Sequence, residues 1–115
     1  MSRRSPSSVA AKRRTHALVF AALGDATRLS LIGKLCRGQP RSISHLTQGA
    51  KLTRQAITKH LRVLETVGIV HSVRKGRESR FEFDPAPIGG IKEYVNFVSE
   101  QWDQALSRLK SFVEH

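Results

Sequence analysis

Apolar and polar positions recur with a helical period along most of this chain, most sharply over residues 52–68, LTRQAITKHLRVLETVG. At about 100° per residue, Ile57, Leu61 and Leu64 fall on one line and predict a buried face. Gln55, Thr58, Lys59, Arg62 and Thr66 share an arc of roughly 100° on the opposite side, and that arc carries no carboxylate. Thr53 stands where an N-cap is expected, its hydroxyl available to a backbone N–H of the first turn. An ordinary surface helix mixes charge signs on its polar face. This one presents only hydrogen-bonding and cationic side chains, the kinds that reach base edges and phosphates.

The same period places the neighbouring elements. A basic run through Lys12, Arg13 and Arg14 leads into a short helix ending near Leu23, with Leu18, Ala21 and Ala22 on its apolar side. Gly24 breaks it, and Asp25 is placed to cap a second helix, ATRLSLIGKLCR, closed by Gly38 and Pro40. Leu29, Ile32, Leu35 and Cys36 form its expected core side. A third helix runs from about Ser42 or Ser44 to Ala50, with Ile43 and Leu46 inward, and the GAKLT turn joins it to the helix at 52–68. Two helices linked by a short glycine-containing turn, the second with the basic face, make a helix-turn-helix.

Beyond Gly68 the period changes to two. Ile69 to Arg74 and RFEFD (80–84) alternate as strands, Phe81 and Phe83 inward, around a KGRES tip. A hairpin bearing Arg74, Lys75, Arg77 and Arg80 directly after such a helix predicts a wing. Its arginines would touch flanking phosphates or enter a narrow minor groove; the alternative is a solvated hairpin whose charges keep an edge from pairing. Pro85 and Pro87 interrupt the chain, and Gly89-Gly90 precede a last helix expected from about Ile91 to Val113. Ile91, Val95, Val98, Trp102, Ala105, Leu109 and Phe112 step by alternating fours and threes, a heptad seam. Such a helix is about 34 Å long, more than one small domain covers, so a dimer interface is expected ahead of packing on the first helix alone.

Composition sharpens this picture. The 115 residues carry a net charge of +11. Residues 1–80 hold 17 of the 20 lysines and arginines against three acids, Asp25, Glu65 and Glu78, whereas residues 81–115 hold three against six. That asymmetry favours a polyanion partner for the first part over a charge kept for solubility alone. Residues 1–10 read as a disordered basic tail and 11–115 as one domain. No apolar run approaches membrane-spanning length and the N-terminus has no secretory apolar core, so a cytoplasmic, membrane-free protein is expected. Cys36 is the only cysteine; it excludes an intramolecular disulfide and reads as a small buried hydrophobe. No glycine-rich phosphate loop, convergent acid pair or nucleophile–histidine set stands out, and no enzyme is expected.

Three segments together resemble the ArsR/SmtB family of winged-helix regulators: LGDATRLSLIGKL (23–35), similar to the family's LADPTRLRIL entry, QAITKHLRVLETVGIV (55–70) and RKGRESRFEFDP (74–85). The resemblance covers about residues 15–113. It implies a mainly α fold with a small β-hairpin and a two-fold dimer through the first and last helices, with Leu18 and Ala22 joining the seam of the last helix. It also implies double-stranded DNA as partner, with two recognition helices in successive major grooves of a palindromic operator. The positions matching the family's DNA-contacting face are Arg54, Gln55, Thr58, Lys59 and Arg62. His60 flanks the core, which implies a structural or phosphate-contacting role ahead of a metal one.

The family's metal-sensing branch is not matched. RSISHLTQ (41–48) has His45 and no cysteine, and the last helix offers Glu93, Glu100, Asp103, Glu114 and the terminal His115. A first-row metal site needs two or more converging nitrogen or sulfur ligands, so neither metal nor cofactor is expected. The input signal stays open between a small-molecule effector, a partner protein and autorepression. Tyr94 and Trp102 read as packing residues ahead of a ligand pocket.

Overall fold

The computed structural model describes residues 6–114. In chain order they form α1 (Pro6–Leu23), α2 (Ala26–Leu35), β1 (Arg41–Ser42), α3 (Ile43–Thr47), α4 (Arg54–Thr66), β2 (Val70–Lys75), β3 (Glu78–Phe83) and α5 (Ala86–Glu114). The helix α1 starts at Pro6, so residues 6–10 are helical rather than a coil tail, and residues 1–5 lie outside the described residues.

Local chemistry sets the next boundaries. Asp25 caps α2 by accepting from the Arg28 N–H at 3.0 Å, and Ser42 caps α3 by accepting from the His45 N–H at 3.1 Å. Thr53 caps α4 in the same way, accepting from the Ala56 N–H at 3.1 Å. Gly68, at φ 80°, takes the left-handed conformation that lets the chain leave α4 and enter β2. The hairpin is tighter than the KGRES tip suggests: Lys75 pairs with Glu78, leaving only Gly76 and Arg77 to turn, with Gly76 at φ 64°.

The sheet has three antiparallel strands in the order β1-β3-β2. The strand β1, two residues long, pairs Arg41 with Phe81 and Ser42 with Arg80. It went unread in the sequence because two residues show no period. The core lies between this sheet and the helices, with Leu31, Leu35, Leu46, Ile57, Leu61, Leu64, Ile69 and Val70 fully buried. Each such side chain contributes about 1.5–3 kcal/mol relative to exposure. Phe81 is buried beside them and Phe83 partly so.

Two expectations are corrected here. In α2, Leu29 is 53% exposed and Cys36 is also exposed, whereas Leu31 is buried. The helix has apolar residues on two arcs, and packing against α4 and β3 selects the arc of Leu31, Ile32 and Leu35. The last helix starts at Ala86, and Gly89-Gly90 lie inside it. Asp84 accepts from the Ala86 N–H at 2.9 Å and Gly89 donates to Pro85 O at 2.9 Å, so the first turn closes around two prolines at positions where no amide is required. Tyr94 sits 5.6 Å from His16 and 6.1 Å from Phe20, edge-on to the latter, and so joins α5 to α1. No helix among the described residues is long and apolar enough to cross a membrane.

Candidate nucleic-acid interface

The recognition helix α4 buries Ile57, Leu61 and Leu64 and turns Arg54, Gln55, Lys59 and Arg62 to solvent, with Thr58 half-buried. Arg54, Gln55, Thr58 and Lys59 line one shallow depression of about 580 Å³. The Thr58 hydroxyl donates to Arg54 O at 2.8 Å, and Thr66 likewise donates to Arg62 O at 2.8 Å. Their donors are therefore committed to the helix. What Thr58 still offers a base is its methyl group and an acceptor lone pair.

The only carboxylate of α4 is withdrawn from this face. Glu65 Oε2 accepts from the Ser72 hydroxyl at 2.6 Å and from the Ser72 N–H at 3.2 Å, tying the helix to β2. The other two acids of the basic region are held as well: Asp25 at the α2 cap, and Glu78 against Arg80 at 3.3 Å. Basic charge thus dominates the surface while each acid is occupied.

The wing cations separate into two places. Lys75 and Arg77, at the hairpin tip, share a cavity of about 430 Å³ with Arg54 at the start of α4 and with Ser42 and Ser44. The fold therefore brings the first turn of the recognition helix and the wing tip to one cleft. Arg74 is exposed beside the tip, paired in register with Ser79. Arg80 is not at the tip; it points into a neighbouring cavity with Arg41 and His45.

His60 lies beneath the interface in a polar cluster that joins three helices. Arg28 donates through Nε to Ala22 O at 2.6 Å and through Nη2 to Ala21 O at 3.3 Å, closing the carbonyl end of α1. Its Nη1 lies 3.2 Å from His60 Nδ1, and Asp25 Oδ1 lies 3.8 Å from the same nitrogen. Nδ1 of His60 thus faces both a cation and a carboxylate. The Arg28 N–H, with the Arg28 and His60 side chains nearby, holds the Asp25 carboxyl below the usual carboxylate value of 3.8. Arg28 and Glu65 were missed as site-positioning residues, since contacts to partners 32 and seven residues away leave no periodic signal.

The residues expected at a dimer seam also separate. Ala22 and Ile91, 2% and 5% exposed, are consumed by the chain's own core, because α1 and α5 close over it there. Leu18, Val95, Trp102, Leu109 and Phe112 are 47–81% exposed, Ala105 is exposed and Val98 half-buried.

Comparison with known proteins gives the same architecture. The helix-turn-helix domain family matches residues 23–73. The chain is 38% identical over 79 residues to the uncharacterized HTH-type transcriptional regulator YuzN of Bacillus subtilis, spanning 64% of this chain and 86% of that protein. Its fold matches that of an ArsR-like transcriptional regulator from Rhodococcus sp. RHA1 with a TM-score of 0.74 and 35% identity, covering 87% of this chain and 93% of the other. It also matches a homodimeric winged helix-turn-helix DNA-binding domain, Mb0332 of Mycobacterium bovis, with a TM-score of 0.65. That match covers 91% and 93% of the two chains at 20% identity, so it speaks for the fold alone.

Proposed function

The chain belongs to the ArsR-like family of winged helix-turn-helix transcriptional regulators, and we propose that it is a homodimeric repressor that occupies a palindromic operator overlapping a promoter. In this reading Gln55, Thr58 and Arg62 of α4 enter the major groove and read base edges, while Arg54 and Lys59 neutralise phosphates. Lys75 and Arg77 grip the flanking backbone from the wing, with Arg74 beside them. The two recognition helices of the dimer lie about 34 Å apart, one turn of DNA.

One observation carries the reading: Arg54, Lys75 and Arg77 meet at a single cleft while Glu65 is turned back onto β2. The one carboxylate that lines the cleft, Glu78, is held by Arg80 at 3.3 Å, so the three cations stay in excess there and the arrangement suits a polyanion. The relatives are regulators, and we assign this chain no reaction to catalyse and a place in the cytoplasm, where its operator would be.

The test is fluorescence anisotropy on DNA from upstream of the protein's own gene against a scrambled duplex, at about 0.15 M salt. A preference of about 10³-fold or more is expected. Equal affinity for operator candidates chosen by genome-wide selection and for scrambled DNA would replace the repressor with a nucleic-acid-associating protein of little sequence preference.

A further inference from the structure

A second cavity, of about 230 Å³, lies at the open edge of the sheet, where Arg41, His45 and Arg80 converge with Gln39, Ser42 and Glu78. It is not the cleft described above, although Ser42 and Glu78 line both. The strand register brings the cations together: Ser42 pairs with Arg80 on β3, and Arg41 is the next residue along β1. One helical turn further on, His45 takes the Arg41 side chain, with Arg41 Nη1 donating to His45 Nε2.

The charges in this cavity do not balance. Two guanidinium groups face one carboxylate, and Glu78 reaches only Arg80, at 3.3 Å through a single nitrogen. An exposed pair of this kind contributes little. Arg41 Nε is buried and has no hydrogen-bond partner among the described residues. A cation held half-buried beside a second one, with an unsatisfied donor, costs the fold stability and is explained where an anion completes it. Two planar forks meeting at one small cavity suit a tetrahedral oxyanion, whose oxygens each accept from them.

We propose that Arg41 and Arg80 form a phosphoryl-binding site, with His45 as the positioning residue that fixes the Arg41 guanidinium. The group bound has two sources, a phosphate of the DNA backbone just beyond the wing, or a free phosphorylated small molecule. The first rests on the DNA-binding reading above; the second does not.

Two arms separate them, both on the full chain. In the first, inorganic phosphate is titrated against chloride at equal ionic strength and the His45 ring signals are followed by NMR. In the second, binding to a random-sequence duplex of about 30 base pairs is measured across salt concentrations, with Lys75→Ala as the control for loss of one phosphate contact. Arg41→Gln and Arg80→Gln are compared with the wild type, Arg80 being the safer change because Glu78 is the sole partner its side chain has among the described residues. A backbone phosphate predicts a salt slope lower by about one in either variant. A free ligand predicts a saturable His45 shift with phosphate that disappears in both variants while the slope is unchanged. No His45 response together with unchanged slopes overturns the site. A wild type that binds no DNA at all defeats the DNA-binding reading and leaves the phosphate arm to decide this one.

Discussion

Arg62 and Lys75 are exposed cations of similar reach, and what distinguishes them is the element each stands on. Arg62 sits on a packed helix whose opposite face is fixed in the core, so in the proposed reading its fork would meet a base edge in a defined register; Lys75 ends a strand at a hairpin tip and would act as a point charge. Arg62→Ala is expected to cost about 1–3 kcal/mol on operator and to relax specificity at one position. Lys75→Ala is expected to weaken all sequences alike and to lower the salt slope by about one. Anisotropy on operator and scrambled duplexes checks both, and an equal loss on the two DNAs for Arg62→Ala would sink its base-reading role. The acids predict a pH dependence. Asp84 is held below 3.8 first by the Ala86 N–H and then by His71, whose Nε2 lies 2.8 Å from its Oδ2; Asp25 is held down first by the Arg28 N–H. Both carboxylates have a lower pKa folded than unfolded. They therefore stabilise the fold above the unfolded carboxylate value, and that contribution is lost as pH falls through the folded one. Urea midpoints measured from about pH 6 down to pH 2 should fall below about pH 4, and less steeply in Asp84→Asn. An unchanged pH profile in that variant would contradict the assignment.

At the scale of elements, the buried face and the cap of α4 are legible because a single residue type decides each. Its three buried residues, Ile57, Leu61 and Leu64, lie on one line, and one threonine in extended conformation, φ −70° and ψ 159°, caps it. Thr53→Ala leaves the Ala56 N–H without its acceptor and should cost about 1 kcal/mol. Thermal unfolding of the free protein checks this, and a change near zero would mean that water replaces the cap without loss. The wing was legible from alternation and a glycine. Elements whose limits depend on contacts between distant residues were not. The arc of α2 that is buried depends on where α4 and β3 pack, and both of its apolar arcs look alike in sequence. The start of α5 was obscured because two prolines and two glycines usually break helices. Here the prolines stand in the first turn, and packing of Tyr94 and Ile91 against α1 and the core outweighs a glycine cost of about 1 kcal/mol each. Sequence order groups Arg80 with the other wing cations because register is not visible there; pairing with Ser42 takes it to the other cavity.

The molecule as a whole is extended in a way that a lone 115-residue domain is not. Its radius of gyration is 19.0 Å and its extents are 66 × 44 × 22 Å, against about 13–14 Å for a compact chain of this length. The excess follows from α5, 29 residues and about 44 Å long, of which only the first turns rest on the core. Beyond them Trp102, Leu106, Leu109, Phe112 and Val113 are 57–81% exposed along one side. An apolar stripe of that length is what a helix interface would require, and its heptad spacing suits a second helix of the same kind. The charge pattern agrees, since residues 81–115 carry six of the nine acids and leave the basic surface to residues 1–80, where the proposed DNA contact lies. Two copies joined through α5 and the exposed side of α1 would present two recognition helices at once, and each bound half-site would hold the other at high effective concentration. Trp102→Glu places a charge in the middle of the stripe without touching the core or the DNA-facing side. It is expected to shift the protein from dimer to monomer in sedimentation and to weaken operator binding about 10²-fold or more, while helix content is retained. The wild type should also melt at higher temperature as its concentration rises, and the variant should not. A wild type that sediments as a 12.8 kDa species at micromolar concentration would show that α5 serves something other than a second copy, and the palindromic operator would fall with it.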